Sequence, residues 1–133
     1  MPVIYQKFIF RSDLQSNPNV KYLFGDNCVR KGYGGQAKEM RDEPNAIGVA
    51  TKRTPSNRPG EFFTDDEYED NIRTIMMDLV PAVDHLRTGG ILVIPADGLG
   101  TGLSELPARA PKTNAYLVEQ LKALESIGPE TAQ

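Results

Sequence analysis

The stretch that decides the fold runs from Gly89 to Leu103: Gly89-Gly90-Ile91-Leu92-Val93-Ile94-Pro95-Ala96-Asp97-Gly98-Leu99-Gly100-Thr101-Gly102-Leu103. Gly89-Gly90 is a helix stop, and the four consecutive apolar residues after it are the pattern of a strand covered on both faces. Such a strand needs helices above and below its sheet. Pro95 to Leu103 then forms a glycine loop leaving the strand's end. Glycines in that place let the backbone come close to a ligand, and successive N–H groups can cradle phosphate oxygens.

Upstream of this stretch, residues Asp65 to Arg87 have helical periodicity. Thr64 stands at the cap, Glu67 at the capping-box position, and Asp65 and Asp66 complement the positive end of the helix dipole. Ile72, Ile75, Met76, Leu79, Val83 and Leu86 define one stripe expected to be buried. Pro81 is expected to kink or split the helix. Downstream, Pro107 and Pro111 precede a second periodic segment, Lys112 to Ser126, with Leu117, Leu121 and Leu124 on one side. The tail from residue 128 to 133 is expected to fray, leaving residues 1–127 as a single domain.

The first half repeats the same order of elements. Ile4 to Arg11 is rich in β-branched and aromatic types and predicts a strand. Turn chemistry between Ser12 and Asn19 predicts a loop. Val20 to Phe24 predicts a buried strand that stops at a Gly25-Asp26-Asn27 turn. Gly32-Tyr33-Gly34-Gly35-Gln36 comes before good helix formers, and Ala46 to Ala50 predicts another strand ending in Thr51-Lys52-Arg53. Pro55, Pro59 and Gly60 mark the segment from Thr54 to Gly60 as a loop expected to be mobile. Strands alternating with helices predict an α/β domain of three layers, α/β/α, with a largely parallel or mixed central sheet. Ligands of such sheets bind at the C-terminal strand edge, where both glycine loops leave.

Composition narrows the chemistry. The chain has 133 residues with 12 Gly, one Cys, one His and a formal charge of -3. Cys28 alone makes no internal disulfide, and His85 with Cys28 makes no zinc site of the usual ligands. The mildly acidic balance gives no reason to expect nucleic-acid binding. No apolar run approaches a signal peptide or a membrane span, so a soluble, cytoplasmic protein without membrane partners is expected. The acidic run Asp65, Asp66, Glu67, Glu69 and Asp70 fits the solvated first turns of a helix and lacks the glycine turn of a calcium loop. No metal or cofactor is expected. The residues do not indicate an oligomeric state.

Neither glycine loop fits a named nucleotide fingerprint. Gly98-Leu99-Gly100-Thr101-Gly102 lacks the Lys-Ser/Thr end of a Walker A loop, and Gly32-Tyr33-Gly34-Gly35 lacks the last glycine of a dinucleotide-binding turn. Asn27 lies five residues before Gly32, Asp13 lies fourteen before Asn27, and Thr101-Gly102-Leu103 is followed by Pro107. In these marks the chain resembles the macro domain family, whose members bind ADP-ribose and related nucleotides. It is similar in particular to a compact group of macro-like proteins, often encoded by phages and bacteria, that carry Phe-Gly-Asp-Asn and Gly-Leu-Gly-Thr-Gly-Leu. Here those are Phe24 to Asn27 and Gly98 to Leu103, with Thr51-Lys52-Arg53. The resemblance implies a macro domain-like fold, Asn27 as the strand-end asparagine, Thr101 to Leu103 in a diphosphate loop and Asp13 against adenine. It also implies host cytoplasm if the chain is phage-encoded. Family members often place an aromatic residue on the distal ribose where this chain has Ser104-Glu105, a departure that bears on de-ADP-ribosylation more than on binding.

Each candidate residue has a plain alternative. Asp13 can accept from an adenine amino group or bond its own turn; Asp26 and Asn27 can meet ribose hydroxyls, orient a water or form an Asx turn. Lys52 and Arg53 can neutralise phosphate or simply be surface charges. Gly32, Gly34, Gly35, Gln36, Thr51, Gly98, Gly100, Thr101, Gly102 and Leu103 complete the expected ligand-binding set. Asn27, Asp97 and Asp26 are the catalytic candidates, Asn27 orienting a water and Asp97 or Asp26 as general base. His85 and Cys28 are expected to be structural. The expected function is a module binding ADP-ribose or a related nucleotide. The alternatives are an ADP-ribosyl or phosphoester hydrolase, and a phage factor that sequesters a nucleotide signal.

Overall fold

The computed structural model describes residues 2–129. Four strands, β1 (Val3–Gln6), β2 (Lys21–Asn27), β3 (Ala46–Lys52) and β4 (Leu92–Pro95), form one sheet in the order β1-β4-β2-β3. All three pairings are parallel. Five helices accompany them: α1 (Arg11–Ser16), α2 (Ala37–Met40), α3 (Tyr68–Arg87), α4 (Leu106–Arg109) and α5 (Pro111–Leu124). The architecture is the expected α/β/α sandwich.

Side chains alternate across the sheet and so divide the core in two. Leu23, Val49, Leu92 and Ile94 point to one face, where Ile75, Leu79, Ala82 and Leu86 of α3 and Leu117, Leu121 and Leu124 of α5 cover them. Tyr22, Phe24 and Val93 point to the other, under Leu14 of α1 and Ala37 and Met40 of α2. Because every strand runs the same way, all four loops after the strands gather at one edge. Since β4 lies beside β2, the two glycine loops emerge as neighbours.

Several boundaries differ from expectation, each for a stated contact. β1 ends at Gln6 because its one partner, β4, ends at Pro95 opposite it. Lys7 to Phe10 therefore leave the sheet, with Phe8 and Phe10 exposed. The expected loop from Ser12 contains α1 instead: the Asp13 carboxylate accepts the Phe10 N–H at 2.8 Å in the capping-box manner, and Leu14 is buried. Gly25-Asp26-Asn27 is strand rather than turn, paired with β3 as far as Asn27↔Lys52. The turn follows the strand, over residues 28–30, where Arg30 takes a φ of 58°.

The long helix begins at Tyr68, after a 3-10 turn over Asp65–Glu67. Thr64 makes no side-chain cap there. Instead Asp65 caps α5, accepting Lys112 N–H at 2.9 Å, Thr113 N–H at 3.0 Å and the Thr113 hydroxyl at 3.0 Å. These bonds hold its carboxyl below the ordinary range against the opposing effect of burial. Met76, expected in the buried stripe, is exposed, while Asn71 and Ala82 are buried. Pro81 stands on the exposed side and does not split the helix. The loop from Thr54 to Gly60 is laced by the Thr54 hydroxyl on Glu61 and by Arg53 N–H on Glu61 C=O at 2.9 Å. No helix among the described residues is long and apolar enough to cross a membrane. The expected frayed tail lies, from residue 130 on, outside the described residues.

Candidate functional site

The loop after β4 is shaped by Gly98 and Gly100, at φ of 85° and 78°, conformations that side chains with a Cβ rarely adopt. Gly100 is also closed in by its neighbours: a Cβ there would stand 3.0 Å from the Leu106 Cβ and 3.1 Å from the Thr51 Cβ. Gly102 differs, since its φ is ordinary and a Cβ would meet nothing within 4 Å. Gly100 thus serves the fold, and Gly102 faces open space on the cleft side. The Thr101 hydroxyl donates to the Asp97 carbonyl at 3.1 Å, closing the loop on itself.

Gln36 ties the two glycine loops together. Its Oε1 accepts the Gly25 N–H at 2.7 Å and its Nε2 donates to the Gly98 carbonyl at 3.0 Å. Thr51 is buried behind them, its hydroxyl bonded to Ser104 Oγ at 2.7 Å and donating to the Asp26 carbonyl at 3.3 Å. It links β2 to the loop after β4 from below and does not line the cleft.

Three cavities follow the strand order along this edge. The first, about 310 Å³, lies between Phe8, Phe10, Gln36 and Pro95. The second, about 210 Å³, lies between Gly34-Gly35 and the loop Gly100 to Ser104, with Asp97 on its rim. The third, about 120 Å³, is lined by Asn27, Gly32, Tyr33, Arg41, Lys52 and Pro55, among others. Gly35 and Gln36 belong to the first two, and Gly34, Leu103 and Ser104 to the last two. These shared residues set the three cavities side by side along one groove-like edge.

Charge is unevenly placed along the groove. The lining of the middle cavity has no cation, only Asp97. That carboxylate is exposed and has no hydrogen-bond partner among the described residues. Asp26 is buried and committed: its Oδ1 pairs with Arg41 Nη2 and accepts the Asn27 N–H at 2.8 Å, while Arg30 Nη1 stands 3.5 Å from Oδ2. Arg30 in turn grips Asp78 of α3 at 2.7 Å, and Asp78 accepts the Ala50 N–H at 2.8 Å. Lys52 is 5% exposed, and burial lowers its pKa.

The structure thus brings together Gly32, Gly34, Gly35, Gln36, Lys52, Asp97, Gly98, Gly100, Thr101, Gly102 and Leu103 at one edge. Asp13 is used by Phe10 N–H and by Gln6 Nε2 at 3.1 Å. Asn27 lines the third cavity, but its side chain closes an Asx turn, donating to the Lys31 carbonyl at 2.7 Å and accepting Val29 N–H at 3.1 Å. Arg53 turns away to Glu67, at 2.8 Å, and lines none of the three cavities. Cys28 is exposed and its thiol sits above its ordinary pKa, desolvation outweighing Arg30 and Arg53. His85 Nε2 lies 2.9 Å from the Ile91 carbonyl, and its ring packs over Gly90.

Sequence reading missed Arg41, Tyr33, Ser104, Phe8 and Phe10 as parts of the site. An arginine after a four-residue helix carries no local signature. The two phenylalanines were absorbed into an expected strand.

No curated protein and no solved structure matches the chain. A family model matches residues 4–120, from within the first strand to within the last helix, and on that match the chain belongs to DUF7831, a family of unknown function.

Proposed function

We propose that the groove binds a nucleotide built on a diphosphate, of the ADP-ribose type suggested by the resemblance to macro domains. The observation that carries this reading is the middle cavity: two glycine-rich backbone segments face each other across a space with no cation, held in register by Gln36. Such a cradle meets phosphate oxygens with backbone N–H groups rather than with side-chain charge. On one side of it, exposed Phe8 and Phe10 offer a stacking surface for a base, an interaction worth about 1–3 kcal/mol. Asp13, spent on capping α1, is left as a support for that loop rather than the adenine partner.

Binding without turnover is the preferred reading, because Asp26 is held by arginines and Asn27 by its own turn. Hydrolysis is the second reading, favoured by one observation, the unpartnered Asp97 carboxylate on the cradle rim. Calorimetric titration with ADP-ribose, NAD, ADP and AMP tests both. Saturable heat is expected for the diphosphates, with AMP much weaker, and ligand recovered unchanged. No heat and no thermal shift with any of the four would refute the proposal. Turnover that disappears in Asp97→Ala while binding persists would establish the second reading.

A further inference from the structure

We infer that the third cavity is a subsite for an anionic group, a phosphate or carboxylate at the far end of the ligand, held by the Lys52 ammonium. It deepens the nucleotide reading and rests on it for what lies in the cradle.

A lysine ammonium has three donors. Lys52 Nζ uses one on Asn57 Oδ1 at 2.8 Å and lies 4.5 Å above the centre of the Phe62 ring. Among the described residues no carboxylate reaches ion-pair distance of it. Burial is the largest influence on its pKa and lowers it; Glu105 and Glu61 raise it, and Arg109, stacked 3.7 Å from the centre of the same Phe62 ring, lowers it. A buried ammonium with so little compensation is costly unless something pairs with it.

The rest of the cavity is already balanced. Arg41 is consumed by Asp26 and by the Gly32 carbonyl, to which its Nε donates at 2.7 Å. Of the charged residues that line the space, Asp26, Lys31, Arg41 and Lys52, the single carboxylate is thus spent, and the two lysines leave the cavity positive. The cavity's volume of about 120 Å³ suits one small group and not a sugar with its substituents. Lys52 or Arg53 is expected from the sequence to supply charge to the phosphates, but neither lines the cradle. Lys52 lines the third cavity instead. The ligand class is a nucleoside diphosphate derivative with a further phosphate or carboxylate beyond the second phosphate.

The test uses the full chain and simple anions. Amide and lysine side-chain NMR signals are followed while inorganic phosphate, acetate or chloride is added at matched ionic strength. Saturable shifts at Gly32 to Gly34 and at Lys52 are expected with phosphate or acetate and not with chloride, the tighter of the two naming the group. In Lys52→Met the same shifts should need at least tenfold more anion. In the wild-type protein the Lys52 pKa should rise when the anion is present, a readout that decides the matter if the variant fails to fold. Shifts absent for both anions, identical in the variant, or matched by chloride would overturn the inference. If ADP binds while phosphate and acetate leave Lys52 untouched, the subsite fails and the nucleotide reading stands. If the anions bind at Lys52 and no nucleotide binds, the reverse holds.

Discussion

Replacing Gly48 with alanine should break the anchor of the first glycine loop. Gly48 pairs with Phe24 in the β2–β3 register, so it lies on the same face as Asp26, two residues further along β2. The Asp26 side chain folds back over it. A Cβ at residue 48 would stand 3.1 Å from both Cβ and Cγ of Asp26 and closer still to Oδ2, so the carboxylate must move. It has nowhere neutral to go, because its oxygens hold Arg41, Arg30 and the Asn27 N–H. Breaking a buried pair of this kind costs about 3–5 kcal/mol. Alanine returns about 0.5–1 kcal/mol by restricting the unfolded chain. The net expectation is a loss of about 3 kcal/mol, or about 10 °C in Tm for a chain of this size. Urea denaturation of Gly48→Ala measures it. Gly60→Ala serves as the control, since nothing lies within 4 Å of that position and its stability should change little. A Gly48→Ala protein within about 1 kcal/mol of wild type would refute the claim that this glycine exists to house the Asp26–Arg41 pair.

Other expectations can be checked in the same way. Gly102→Leu projects into open space and should abolish ADP-ribose binding in calorimetry with Tm unchanged, whereas Gly100→Ala, at positive φ and against Leu106 and Thr51, should cost about 1–3 kcal/mol. Retained affinity in the first or an unchanged Tm in the second would contradict the assigned roles. Asp65→Ala removes the cap of α5 and should cost about 1 kcal/mol at neutral pH. Because the folded Asp65 pKa is depressed, its contribution is present above the unfolded value, about 4, and is lost as pH falls through the folded one. The gap between wild type and Asp65→Ala in urea midpoints should therefore narrow below about pH 4, and a gap that widens there would contradict the cap.

Local pattern made much of the fold legible. The apolar runs at Leu92–Ile94 and Tyr22–Phe24 are strands, the long periodic segment is α3, and both glycine loops fall at the sheet's C-terminal edge. The misreadings share one cause. Asp13 and Ser12 have the chemistry of a turn, and whether such residues cap a helix depends on what Leu14 can be buried against. Asp65, six residues before Asn71, looks like the start of its own helix and instead caps one that begins more than forty residues later. Asn27, Arg53 and Asp26 have the residue types of a site, and only the fold shows that their side chains also have protein partners, Lys31, Glu67 and Arg41.

What the sequence by itself determined is the class of fold and the place of the cleft. Hydrophobic runs and helical periodicity are local properties of the chain, and parallel strands send their loops to one edge. Only the tertiary structure decided which side chains remain available there. Availability is a matter of competition among partners brought together from distant positions: Arg41 neutralises Asp26, while Lys52 is buried against the Asn57 amide and the Phe62 ring. No spacing along the chain encodes that difference, because it arises from which charges the packed sheet leaves unpaired.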